Sequence, residues 1–305
     1  MFREPIYVNE ELRMMRESIR RFIQEEVLPH GDDWEQAGQT PKSILKKMGD
    51  NGFLGIRYDE EFGGSNLDTL ATMILQEELG RSSYGGFAAC ISVHTDMASP
   101  HLARYGTPEQ KAKYMPGIVA GDILTAVAVT EPGAGSDVKG IRTRAVRDGD
   151  EWVLNGSKIF ITNGITADVL FVAAKTNTEV KGSRGISMFI LERDTPGFSV
   201  ARALDKTGWR SSDTAELTFE DVRLPANALL GEENRGFYAI MDNFQNERLT
   251  LAAQSVGMGI AAVEQTLEWV KERNAFDGAL WDLGAIRQRL SKAAAEVEAA
   301  RHMMW

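Results

Sequence analysis

The chain has 305 residues, with 34 Lys and Arg against 44 Asp and Glu, for a net charge of −10. That balance excludes a nucleic-acid binder and adhesion to anionic lipid, both of which need basic clusters. The 43% apolar fraction is ordinary for a globular protein, and no apolar run approaches the roughly 18 residues of a membrane span.

Residues 1–120 carry a helical pattern. Asn9 is placed to cap a helix in which Leu12, Met15, Ile19, Phe22 and Ile23 recur at helical spacing. This opening segment mixes acidic and basic residues and lacks an uninterrupted apolar core, so neither a secretory signal nor a mitochondrial presequence is expected from it. A second helix is expected from Lys42 to Gly52, followed by a turn-rich break at 58–65. Further helical stretches cover 67–79 and 87–105. Thr107-Pro108-Glu109-Gln110 has the form of a helix start: a capping hydroxyl, proline first and glutamine third.

Residues 121–226 change character. Leu124–Val129 reads as a short buried strand, and the strands 142–147 and 152–155 flank a hairpin turn at Asp148-Gly149-Asp150. Further strands are expected at 158–162, 169–174, 186–191 and 216–219. From 227 to 305 the helical period returns, over Phe237–Glu272 with a weak point near Gly257 and Gly259, and again over Ala285–Trp305. The fold class is therefore α+β and multi-domain, in the order all-α N-terminal domain, central β-domain, C-terminal helical domain.

Three segments could carry chemistry. In the first, the strand Val127–Val129 enters the glycine-rich loop Thr130-Glu-Pro-Gly-Ala-Gly135-Ser136-Asp137. Glycine lets backbone N–H groups approach a ligand closely. The loop lacks the ending of a phosphate-binding P-loop and the third glycine of a dinucleotide fingerprint; an ordinary tight turn is the alternative. In the second, Phe160 and Thr162 share a strand face, suited to a flat heteroaromatic ring or simply half exposed. In the third, Glu247 follows Ile240 and Phe244 and precedes Leu251 on one helical stripe. A carboxylate there is either a general base whose pKa burial raises or the ion-pair partner of Arg248. Ser92–Asp96 is read as the lining of a ligand slot, a surface segment or core. Cys90 is the single cysteine, and His30, His94, His101 and His302 have no helical metal spacing, so no metal site is expected. One cysteine also points to a reducing, cytoplasmic compartment.

These segments resemble the acyl-CoA dehydrogenases. The likeness rests on Thr130–Asp137, on Asn155-Gly156 with Ile161-Thr-Asn-Gly164, on Phe219-Glu-Asp-Val222-Arg-Leu-Pro225, and on Arg273 with Phe276. The resemblance implies FAD held by Val127, Val129, Thr130, Gly135, Ser136, Phe160, Ile161 and Thr162, with Arg273 and Phe276 reaching a neighbouring subunit's FAD. It implies acyl-CoA bound by Ser136, Gln245, Asn246 and Arg248. It also implies that the central domain is β-barrel-like and the C-terminal one a helical bundle. Glu247-Arg248-Leu249 matches the isovaleryl- and long-chain-type members, in which the catalytic base precedes an arginine on this helix. The implied reaction is α,β-dehydrogenation to the 2-enoyl-CoA. Electrons would pass to an electron-transfer flavoprotein, and the assembly would be a homotetramer, in the mitochondrial matrix if the source is eukaryotic. Two departures stand out. The family continues beyond the position of Trp305 for two helices with a Gln-x-x-Gly-Gly segment and, in many members, the catalytic glutamate, so the helical bundle is expected to be incomplete and a base in that segment is the alternative to Glu247. Gly284 also replaces a FAD-contacting glutamine. A same-fold oxidase or monooxygenase and a non-catalytic paralogue are the alternatives.

Overall fold

The computed structural model describes Phe2, Ile6 and residues 8–305 apart from Lys181. Met1, Arg3, Glu4, Pro5 and Tyr7, placed by the sequence in the helical block, lie outside the described residues.

Helix α1 (Glu10–Phe22) starts where Asn9 Oδ1 accepts the Leu12 N–H at 2.8 Å, and it buries Leu12, Ile19 and Phe22. A wider π turn, Ile23–Val27, extends it. Helix α2 (Gly31–Ala37) is not anticipated by the sequence, because it has no capping side chain and opens on a glycine. That glycine is required: a Cβ at Gly31 would lie 2.3 Å from the Tyr84 ring. Helices α3 (Lys42–Asp50) and α4 (Thr69–Arg81) follow, and α4 is buried without interruption from Ala71 to Gly80. Burial on every side marks it as the centre of the helical layer.

The expected stretch 87–105 is helical throughout but not uniform. It runs as α5 (Gly85–Ser92), a π turn (Val93–Ala98) and α6 (Ser99–Tyr105). Pro100 supplies a reason: it has no N–H to offer the Asp96 carbonyl four residues back, and its ring would strike that carbonyl in a regular helix. Helix α7 (Pro108–Val119) has the capping box its sequence prescribes, with Gln110 N on Thr107 Oγ1 at 3.3 Å and Thr107 N on Gln110 Oε1 at 2.9 Å.

The middle of the chain forms one sheet from β1 (Thr125–Ala128), β2 (Arg144–Asp148), β3 (Glu151–Thr162), β4 (Val169–Lys175), β5 (Ile186–Glu192), β6 (Phe198–Ala203), β7 (Thr214–Pro225) and β8 (Leu229–Leu230). The order is β6-β7-β3-β2-β4-β5-β8, with β1 parallel beside β4. Strands β2 and β4 meet through the single pair Arg144 and Lys175, so the sheet folds there and encloses core on both faces. The separate strands expected at 152–155 and 158–162 are one strand, β3, bulged against β7 after Leu154 and after Lys158. Likewise 216–219 is the middle of β7. Strand β6 escapes the sequence reading because it is an edge strand with an exposed, Arg-bearing end.

Helix α8 (Gly236–Glu272) runs unbroken through Gly257 and Gly259. These glycines do not weaken a boundary. A Cβ at Gly257 would sit 2.0 Å from the Glu77 carbonyl oxygen, and one at Gly80 would sit 2.0 Å from that of Gln254. Glycine therefore lets α4 and α8 touch backbone to backbone. A two-residue hairpin pairs β9 (Asn274–Ala275) with β10 (Gly278–Ala279), and α9 (Gly284–Met304) closes the described chain. Where α1, α4, α8 and α9 meet, Arg301 forks onto Glu77 at 2.8 and 2.9 Å. Arg20 forks onto Glu78, and Arg81 reaches Glu264 at 2.7 Å.

Candidate active site

The site begins at the C-terminal end of β1. Ala126 and Ala128 are buried, while Val127 and Val129 are half-buried and turn toward the opposite core cluster. Thr130 then enters a tight turn in which Glu131 and Ala134 exchange backbone hydrogen bonds at 2.9 and 3.0 Å. The tight-turn reading is thus correct for 131–134, but the outer side of the loop is open. Gly133 and Gly135 have no atom within 4 Å of an added Cβ, and Ser136 is exposed.

A buried ion pair, missed by the sequence reading, holds this loop. Lys158 is fully buried on β3; its Nζ donates to Glu131 Oε1 at 2.8 Å and to the Val129 carbonyl at 2.9 Å. Glu131 also accepts the Arg142 and Thr143 N–H groups. Burial opposes its ionisation, but Lys158 and these donors outweigh it and hold Glu131 below the usual carboxylate range. Ile159 N bonds the Thr130 carbonyl at 2.9 Å, so β3 lies beside the loop. The glycine-rich segment is thereby fixed before any ligand arrives.

On β3, the bulge after Lys158 moves Phe160 into the left-handed region, φ 61°, and leaves its ring 65% exposed. A large aromatic at positive φ and open to solvent is costly to maintain without a use. Thr162 is half-buried. Ile161 points into the core, so only its backbone can face a ligand. Among the described residues the Thr130, Ser136 and Thr162 hydroxyls make no hydrogen bond with the protein, so the loop and the end of β3 carry three free hydroxyls.

The opposing wall is the first half of α8. Phe237, Met241 and Phe244 pack against the same cluster as Val127, Val129 and Met97. One turn on, Glu247 is half-buried, and Asn243 Nδ2 donates to its Oε1 at 2.7 Å. Burial first, then the nearby Asp96 carboxylate, raise the Glu247 carboxyl to about 7 against the opposing pull of Asn243 and Arg248. Arg248 does not pair with it; its guanidinium lies over the Phe244 ring, 5.7 Å from the centroid. The continuous apolar stripe expected around Glu247 stops short, since Leu251 is 41% exposed.

Of the other α8 residues singled out, Gln245 and Arg248 are exposed, and Asn246 is half-buried with its side chain turned to the Asp96 carboxylate. Arg273 lies 26 residues beyond Glu247, about 39 Å along a helix, and Phe276 is 89% exposed at the tip of the β9–β10 hairpin. Both lie outside this chain's own cleft. The stretch Ser92–Asp96 is core: Ser92, His94, Thr95 and Asp96 are buried, and His94 joins Thr125 of β1 to the Ile118 carbonyl of α7. Burial lowers His94 to about 4, so it is neutral. Among the described residues, no three His, Cys, Asp or Glu side chains are grouped to hold a metal ion, and no helix is long and apolar enough to cross a membrane.

An open, preformed loop beside an exposed aromatic, and a carboxylate of raised pKa on the helix that packs against the same core cluster as the loop, together outline a candidate ligand site with acid–base capability. Comparison with known proteins is specific. Models of the N-terminal, middle and C-terminal domains of acyl-CoA dehydrogenase match residues 9–122, 126–222 and 234–305. The mouse mitochondrial long-chain specific acyl-CoA dehydrogenase is 45% identical over 280 residues, 92% of this chain. This chain spans 65% of that protein's length. The crystal structure of an acyl-CoA dehydrogenase from Geobacillus kaustophilus is 43% identical and superposes with a TM-score of 0.94, covering 99% of this chain and 79% of that one. A glutaryl-CoA dehydrogenase from Mycobacterium smegmatis, solved in complex with FADH2, is 30% identical with a TM-score of 0.90, covering 97% and 74%. The chain belongs to the acyl-CoA dehydrogenase family.

Proposed function

We propose that the chain catalyses FAD-dependent α,β-dehydrogenation of an acyl-CoA thioester, with Glu247 as the base. The observation that carries this reading is the half-buried Glu247 carboxyl, pushed up to about 7, on the helix whose first half packs in one cluster with Val127, Val129 and Ala134 of the loop. A base with that midpoint is about half ionised at neutral pH, so a substantial fraction is ready to take a weakly acidic proton while remaining basic enough to do so. Glu247 accepts the proton from the α-carbon, while the β-hydrogen leaves with its electron pair and the C–C bond becomes a double bond. Bound FAD supplies the acceptor for that hydride.

The residues present suit such a cofactor. Val127, Val129 and the exposed Phe160 ring offer apolar surface to a flat ring. Thr130, Ser136 and Thr162 offer free hydroxyls to its edge, and Gly135 leaves room for close backbone approach. Ser136, Gln245, Asn246 and Arg248 are assigned to the CoA thioester. Asn246 is half-buried beside Asp96, the carboxylate its side chain helps to stabilise. Arg273 and Phe276 are assigned to a neighbouring copy's cofactor. Their distance from Glu247 and the exposed Trp269 and Phe276 support a homo-oligomer, a tetramer by analogy with the family. The electron acceptor is proposed to be an electron-transfer flavoprotein.

The test is anaerobic mixing of the FAD-loaded protein with a series of acyl-CoAs. Bleaching of the flavin absorbance with stoichiometric 2-enoyl-CoA supports the reading, and no bleaching with any acyl-CoA overturns it. Rapid reoxidation by air would instead identify an oxidase.

A further inference from the structure

Asn243 stands one helical turn before Glu247 and meets three acceptors at once. Its Nδ2 lies 2.7 Å from Glu247 Oε1 and 3.1 Å from both the Asp96 and the Met97 carbonyl oxygens. Only an NH2 group satisfies that set, which fixes the orientation of the amide. The carbonyls belong to the π turn of the N-terminal helical layer. Asp96 O is available because Pro100 has no N–H to give it. One amide hydrogen is thus shared by the π turn and the other is given to the carboxylate.

We propose that Asn243 is a positioning residue for Glu247, tying the carboxylate of α8 to the π turn at Asp96 and Met97 and thereby fixing both its rotamer and its basicity. This rests on the reading of Glu247 as the base. The charged groups that bear on Glu247 are Arg248 on its own helix and Asp96 on the π turn. Behind Asp96 stands Arg57, whose NH1 lies 3.4 Å from its Oδ1. Asp96 is itself 1% exposed, and its carboxylate accepts Gln76 Nε2 at 2.8 Å and the Thr95 hydroxyl at 2.6 Å. The π turn is therefore a rigid anchor, and Asn243 is the link that carries its position to the carboxylate. The amide donates to the ionised form of Glu247, so its loss favours the protonated form.

The experiment is the pH titration of Glu247 by 13C NMR in the whole chain labelled with [13Cδ]glutamate, its resonance identified by its absence in Glu247→Gln. Asn243→Leu, nearly isosteric, should move the midpoint up by about half a pH unit or more. Asn243→Asp, which sets a carboxylate against Glu247, should move it further. The acid limb of the pH profile for flavin reduction by acyl-CoA should shift by the same amount, with the acyl-CoA concentration at half-saturation unchanged. An unmoved Glu247 midpoint in Asn243→Leu, or loss of folding in both variants, would overturn the proposal. A Glu247→Gln protein that reduces its flavin at the unaltered rate would overturn the assignment of the base, and the NMR titration would still decide the link.

Discussion

Glu247→Gln should change stability as well as turnover, in a way that depends on pH. The carboxyl titrates at 4.5 in an unfolded chain and at about 7 in the fold. Between those values the folded state holds the proton more tightly, so unfolding releases it. The contribution favours folding at low pH and is lost as pH rises from 4.5 to about 7. At about 1.4 kcal/mol per pH unit, the ionised residue lowers stability by about 3 kcal/mol at pH 8 relative to a neutral isostere. Gln removes this penalty while keeping the hydrogen bond to Asn243 within reach of its side-chain oxygen. Urea unfolding at a fixed FAD concentration should give nearly equal stabilities for the two proteins at about pH 4.5, with the variant gaining up to about pH 7 and the difference levelling off by pH 8. A difference between the two that does not vary with pH would refute the claim that Glu247 is strained by burial of its charge.

Three further outcomes follow from the same geometry. Replacing Thr130 and Thr162 together with Val keeps shape but removes two polar partners, and FAD retention measured by absorbance after dialysis should fall, at about 1–3 kcal/mol per lost bond. Lys158→Met leaves Glu131 buried without its cation, so chemical unfolding should show a loss of about 3–5 kcal/mol together with weakened FAD binding as the loop is released. Gly257→Ala puts a methyl group into the Glu77 carbonyl, forcing α4 and α8 apart; a fall in thermal midpoint reflecting at least about 1–3 kcal/mol is expected, and a neutral result would show that the helices separate freely.

The order of helical, β and helical parts was legible because each carries its own period, and the Asn9 and Thr107 caps mark helix starts without tertiary help. What escaped depends on partners far away in the chain. Gly257 reads as a helix breaker until Glu77 is seen to touch it. Helix α2 opens on a glycine because the Tyr84 ring packs where a Cβ at position 31 would stand. Lys158 looks like a solvent-facing strand lysine until Glu131 is found under it. Within the site, Glu247 was legible from its place on an apolar stripe, yet the extent of that stripe was overdrawn, since Leu251 faces solvent. Asn243 was within reach of sequence reasoning, four residues before Glu247, but its meaning depends on carbonyls that a proline at position 100 sets free.

The central claim is that Glu247 takes the α-proton. Anaerobic stopped-flow mixing of FAD-loaded Glu247→Gln with a saturating acyl-CoA, beside a Glu233→Gln control in the exposed turn before α8, addresses it most directly. The account predicts flavin bleaching slowed by ~10²-fold or more in Glu247→Gln, with FAD and acyl-CoA still bound and the control unaffected. Bleaching of Glu247→Gln at the rate of the unaltered protein would contradict it.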